Sequence, residues 1–229
     1  MSISPSIQKF NYFLILDFEA TCIENGKIQP HQEIIEFPVL QVDAKSLKEV
    51  NRFHQYVRPT ERPFLTSFCT NLTGIVQEMV DNQPNLHEIL RQFDVWLEQS
   101  GLIVKEGNEK LANSWTFVTC GDWDLGTMLP SEAKYRNIQL PKYFNQWINL
   151  KKSYASFKGY FPPSLAYMLN EIGLERIGRM HSGIDDVLNI FAILRNLIEN
   201  GFVLDNTSSV SDDMIAVIRS VFGKEGKKL

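Results

Sequence analysis

The sequence predicts an α/β domain with a mixed β-sheet flanked by helices, and three observations carry that prediction. Short apolar runs with strand character come first, at residues 10–16, 34–42 and 53–57. Two more follow at 115–120 and 147–150, alternating with segments of helical periodicity. Strands first and strand–helix alternation later give a sheet with antiparallel and parallel parts. At 229 residues the chain suffices for one well-buried domain.

Taken in order, the first run leads from Phe10 to Leu16 and ends on Asp17, Phe18 and Glu19. Asn25-Gly26 marks a turn, and Asp43-Ala44-Lys45-Ser46 has hairpin composition, so the first three runs read as an antiparallel meander. Pro59 and Pro63 lead to a helix over 64–74. Over 86–99, Leu86, Ile89, Leu90, Phe93 and Leu97 share one helical face, with Asn85 as cap. The strand at 115–120 runs into Gly121-Asp122-Trp123-Asp124-Leu125, which should open a helix. Helices are expected at 163–172 and 182–200, the second buried over much of its surface. The organisation is therefore a single domain over 1–205, followed at 206–229 by a polar linker, an amphipathic helix at 212–222 and a flexible tail.

Composition narrows the function. No segment has the length of an apolar membrane span, and the N-terminus lacks a signal-peptide pattern. Cys22, Cys69 and Cys120 are odd in number and widely spaced, which points to a reducing, intracellular setting (cytoplasm, with the nucleus left open) and no disulfide framework. A net charge of −4 argues against a protein that coats nucleic acid non-specifically, but not against a small basic grip on one strand end.

The acids carry the chemistry. In an extended strand, Asp17 and Glu19 project to one face, and two such carboxylates repel unless a hard cation neutralises them. Asp122 and Asp124 follow the fourth strand, and Asp185 and Asp186 lie four and five residues past His181, about one helical turn away. Acids from three element ends plus a histidine suit two divalent ions clamping a phosphoryl displacement. Imidazole, with an unperturbed pKa of roughly 6.5, suits deprotonation of a water near neutral pH. Spacing alone leaves open which acid of each later pair serves.

Asp17-Phe18-Glu19-Ala20-Thr21-Cys22, Gly121-Asp122-Trp123-Asp124-Leu125 and His181-Ser182-Gly183-Ile184-Asp185-Asp186 resemble the three motifs of the DEDDh (DnaQ-like) 3′–5′ exonuclease superfamily. Within it they are most similar to the Eri-type exoribonucleases, and the segment 146–154 is similar as well. The resemblance implies a ribonuclease H-like fold and a single exonuclease domain. By position it implies metal ligation by Asp17, Glu19, Asp124 and Asp186 for two Mg²⁺ (or Mn²⁺), with His181 as general base. It places Phe18, Ala20, Thr21, Trp123 and Leu125 against the terminal nucleotide. The expected activity is hydrolysis of single-stranded RNA 3′ ends to nucleoside 5′-monophosphates. The alternatives are a DNA exonuclease of the same mechanism and a catalytically silent RNA-binding scaffold. The scaffold expects at least one of the five site residues to be lost, and all five are present. Met180 stands where the family commonly has proline. Eri-type members that act on histone-message stem-loops carry an additional nucleic-acid-binding domain, and the residues before Asp17 do not resemble one, so the expected substrate is a single-stranded end and not a structured RNA. Lys142, Lys151, Lys152, Lys158, Arg176 and Arg179 are candidates for phosphate contacts, and Phe157, Tyr160 and Phe161 for base stacking.

Overall fold

The computed structural model describes residues 7–104 and 113–210. Strands β1 (Tyr12–Leu16), β2 (Glu19–Ala20), β3 (Ile34–Asp43) and β4 (Lys48–Tyr56) come first. Helices α1 (Ser67–Thr73), α2 (Gln77–Val80) and α3 (Leu86–Gln99) follow, then β5 (Trp115–Thr119). A π-helical turn (Asp124–Met128) continues into α4 (Leu129–Tyr135), followed by β6 (Gln146–Asn149) and α5 (Leu150–Lys158). The described chain closes with α6 (Leu165–Glu171), α7 (Gly183–Glu199) and β7 (Ser208–Ser209).

The sheet is mixed, as the sequence predicts. β3 pairs antiparallel with β1, β2 and β4; β5 lies parallel to β1 and to β6; β7 closes antiparallel on β6. Along β1 the side chains alternate between two cores. Leu14 and Leu16 join Phe93 and Leu97 of α3, whereas Phe13 and Ile15 join Val187, Ile190 and Leu194 of α7. Both faces are covered, which is why the strand reads as a continuous apolar run. The same parity sends Asp17 and Glu19 toward the face that α7 covers.

β1 and β2 are one strand, interrupted. Leu16 pairs with Val39 and Glu19 with Glu36, so the gap at Asp17 and Phe18 falls opposite Phe37 and Pro38. Proline has no N–H to give to a ladder, and the interruption sits where that donor is missing.

The helix over 86–99 forms as expected, and its cap is a full capping box between Asn85 and Glu88, worth on the order of 1 kcal/mol. Other boundaries differ for physical reasons. β4 starts at Lys48 because it pairs on one side only, and its exposed first half carries no apolar signal. α5 was hidden by its polar composition; Asn149 caps it by accepting from the N–H groups of Lys151 and Lys152. The helix expected from Gly121 begins as a π turn at Asp124, just before Pro130, which donates no backbone hydrogen bond. The polar stretch from Asn206, expected as a linker, completes the sheet as far as Val210: Thr207 N–H donates to Trp147 and Val210 N–H to Asn145. The amphipathic helix expected at 212–222 lies outside the described residues.

Candidate active site

Asp17 and Glu19 stand at the carboxyl end of β1, where its parallel neighbour β5 also ends, and ligands of α/β sheets gather beyond such ends. Asp17, Glu19 and Asp186 each present a carboxylate oxygen within 4.8 Å of the others. Asp124 joins them through the backbone: its Oδ1 accepts the Phe18 N–H at 2.8 Å, one residue from each of the first two acids. The π turn thus begins on the residue that reaches the strand break, and π-helical turns are frequent at functional sites.

Two buried groups bring α7 to this point. Glu36, register partner of Glu19 and almost wholly buried, accepts the N–H of Gly183 at 3.0 Å and of Ile184 at 3.3 Å. A carboxylate over the first turn of a helix meets the positive end of its dipole. A Cβ on Gly183 would lie 2.7 Å from the carbonyl oxygen of Asp17, so only glycine allows this approach. Asn189 fastens the loop before the helix, bonding Ile177 N–H at 2.8 Å and the carbonyls of Ile177 and Asp185. His181 ends that loop at φ +59°, uncommon outside glycine. Its N–H donates to Asp186 Oδ2 at 3.1 Å, and the residue is exposed, with its ring accessible to a substrate.

The structure separates the members of each acid pair. Asp122 is turned to the β6–β7 side, where Lys152 lies 2.8 Å away and Trp147 Nε1 donates at 3.0 Å. Burial pushes the Asp122 carboxyl up, but the bonds from Lys152, Ser208, Asn149 and Trp147 together hold it below its ordinary value. Asp185 accepts the Arg179 N–H at 2.8 Å and packs on Gly178 (φ +64°), where a Cβ would sit 2.2 Å from its carboxyl carbon. Both residues are occupied as anchors.

The four gathered acids repel protons' removal. Burial raises Asp17 well above the usual carboxylate range, and Asp124, Asp186, Glu19 and Glu36 add to it. Burial, then Glu36, Asp186, Asp124 and Cys69, push Glu19 up to about 9. Burial raises Asp124 to about 6 against the bond from Phe18, and raises Asp186 against the pull of Arg176. A second cluster, His31, Glu33 and Glu132, differs: Arg136 bridges both carboxylates, and Glu33 also accepts backbone N–H groups of Thr60, Glu61 and Arg62. Its carboxylates are already engaged by a guanidinium and by backbone donors. At the first cluster no lysine or arginine is ion-paired to Asp17, Glu19 or Asp124 among the described residues, and hard oxygen donors in that number fit Mg²⁺ or Mn²⁺.

A pH signature follows. A carboxyl whose pKa is higher folded than unfolded stabilises the fold fully below its unfolded value and loses that contribution as pH rises to the folded one. For Glu19 the window runs from 4.5 to about 9 without metal. Mg²⁺ should therefore raise the melting temperature little at pH 5 and progressively more toward pH 9, as thermal melts with Mg²⁺ or EDTA will read. An equal rise at every pH would place the ion elsewhere.

Residues 14–194 match the family model described as Exonuclease (RNase_T). The chain belongs to the exonuclease family. The chain is 46% identical to ERI1 exoribonuclease 3 of Bos taurus, over 91% of this chain and 59% of that protein. It is 36% identical to 3′-5′ exonuclease Snipper of Drosophila melanogaster, over 90% of this chain and 76% of that protein. The nuclease domain of 3′hExo, a DEDDh family member solved bound to rAMP, superposes with a TM-score of 0.81 at 32% identity, covering 88% of this chain and 98% of that one. The chain spans less than two thirds of the length of the ERI1 exoribonuclease 3 relatives. Its sheet flanked by helices is the DEDDh, ribonuclease H-like arrangement.

Several residues of the chain differ from the sequence expectation. The side chains of Phe18 and Leu125, expected against a nucleotide, are core: Phe18 sits edge-on to Phe37 at 4.7 Å and Leu125 is 1% exposed. Phe18 serves the site through its N–H instead. Ala20 is buried, and buried Thr21 spends its hydroxyl on the Glu33 N–H, whereas Trp123 is 41% exposed. Of the candidate phosphate contacts, Lys152 pairs with Asp122, Lys158 with Glu171 and Arg176 with Asp186, while Arg179 binds the Asn71 carbonyl. Phe157 packs on Phe202 and Tyr160 on Tyr167, which leaves Phe161, beneath Lys151, as the most exposed ring of the three. Glu36 and Asn189 escaped sequence reading, although a lone acid inside the apolar run 34–42 was a usable signal.

Proposed function

We propose that the chain is a metal-dependent 3′–5′ exoribonuclease that releases nucleoside 5′-monophosphates from single-stranded RNA ends. The observation that carries this reading is the convergence of Asp17, Glu19 and Asp186 within 4.8 Å, joined by Asp124 through Phe18 and left without lysine or arginine on three of the four acids. Asp17, Glu19, Asp124 and Asp186 would hold two divalent ions, which supply charge neutralisation at the scissile phosphate and make water more acidic. The chain's own residues do the rest. His181, exposed beside Asp186, takes the proton of the attacking water. The new bond forms from that water to phosphorus and the bond to the preceding 3′ oxygen breaks, so the phosphate leaves on the 5′ carbon of the terminal nucleoside. Trp123 offers an exposed ring to the terminal base, and Phe161 to one further along the strand.

RNA is favoured because the relatives of highest identity reported above carry the name exoribonuclease and the 3′hExo domain was solved with rAMP. No helix among the described residues is long and apolar enough to cross a membrane. The test is hydrolysis of matched single-stranded RNA and DNA oligonucleotides carrying a 5′ label. The reading expects progressive shortening from the 3′ end, faster on RNA, with 5′-monophosphates as product. Equal or faster shortening of DNA would move the substrate to DNA, and binding without shortening would favour the silent scaffold.

A further inference from the structure

Among the described residues, Asp186 is the one acid of the four that already has a cationic partner. The Arg176 guanidinium pairs with Asp186 Oδ1, and the same Nη2 donates to the Arg179 carbonyl at 3.0 Å. One nitrogen therefore ties the carboxylate to the backbone two residues before His181. The other oxygen of Asp186 accepts the His181 N–H. Arg176 itself is four-fifths buried at the side chain, so this is no solvated surface pair. Around it, Asn189 fixes the neighbouring Ile177 backbone on both sides, which holds Arg176 at the start of a rigid loop.

We propose that Arg176 is a positioning residue that acts as the built-in counter-cation of the site before metal binds. Its charge offsets part of the repulsion among four carboxylates, and its bridge keeps the His181 loop seated on α7. The inference rests on the metal reading of the acid cluster. It has a consequence that an ordinary structural ion pair lacks. A guanidinium and a divalent ion both draw on the Asp186 carboxylate, so each weakens the hold of the other, and that coupling is reciprocal. Arg176 thus stabilises the metal-free fold and raises the metal concentration needed to fill the site.

The experiment is a set of thermal melts on the wild-type chain, Arg176→Gln and Arg176→Lys, in EDTA and across a Mg²⁺ titration. Arg176→Gln should melt about 5 °C or more below wild type in EDTA, since removing one partner of a buried pair is costly. In saturating Mg²⁺ the deficit should shrink to less than half. The half-saturating Mg²⁺ concentration, read from the melting temperature, should fall about fivefold or more, the low end of ordinary coupling. Turnover at saturating Mg²⁺ should drop with KM for the oligonucleotide near wild type, because the His181 loop has lost a tether. Arg176→Lys keeps a charged donor able to meet both oxygens and should restore most of the EDTA melting temperature, which also covers failure of the glutamine variant to fold. An equal deficit in EDTA and Mg²⁺ with unchanged half-saturation would overturn the proposal and leave a structural ion pair. A higher Mg²⁺ requirement would also overturn it, making Arg176 an organiser of the ligand and not its competitor. If wild type itself shows no Mg²⁺ response, the metal reading has failed, a result distinct from either.

Discussion

Asp124→Asn should lower turnover at least a thousandfold and leave the protein folded. The asparagine side-chain oxygen can still accept the Phe18 N–H, so the link between the π turn and the strand break persists. On the proposed reading, what is lost is one of four anionic ligands that would together balance two divalent ions. The EDTA melting temperature should stay level or rise, because a charge has been removed from among mutually repelling, buried carboxylates. Asp122→Asn is the matched control. Its carboxylate faces Lys152 at a half-exposed pair, where a loss of up to about 1 kcal/mol is expected, and turnover should stay within a few-fold of wild type. Steady-state kinetics and melts on the two variants check both statements, and the reverse pattern would show the second motif to be misassigned.

His181→Ala is the second large effect. A positioned general base contributes roughly 10²–10⁴-fold, so turnover should fall by that factor while metal affinity and RNA affinity stay near wild type. The backbone N–H that His181 gives to Asp186 survives the substitution, which keeps the ligand in place and isolates the ring's role. An unchanged turnover would return His181 to a purely structural position.

Much of the fold was legible because both faces of the sheet are covered. β1, β3 and β5 are read from apolar content alone, and α3 carries its stripe and its cap in plain sight. The elements that were missed carry little apolar periodicity. The first half of β4 is exposed, and α5 is rich in lysine and serine, held by a cap and by its packing on the sheet. The four acids that gather were legible because carboxylates at strand and helix ends break the apolar pattern. Their supports were not. Glu36 matters only because register sets it beside Glu19, and Arg176 only because a loop folds it back onto Asp186, and neither relation exists in the linear chain. Phe18 and Leu125 illustrate the reverse error. Phe18 flanks the acids along the chain while its side chain points into the core, as strand alternation requires beside Asp17 and Glu19.

The account turns on the acid cluster being a divalent-ion site that runs hydrolysis. The most direct measurement strips the wild-type chain with EDTA, then follows shortening of a 5′-labelled single-stranded RNA as Mg²⁺ is added back. The account predicts no shortening in EDTA and recovery that rises more steeply than first order in Mg²⁺, with 5′-monophosphates released from the 3′ end. Shortening at the normal rate by the stripped protein would contradict it.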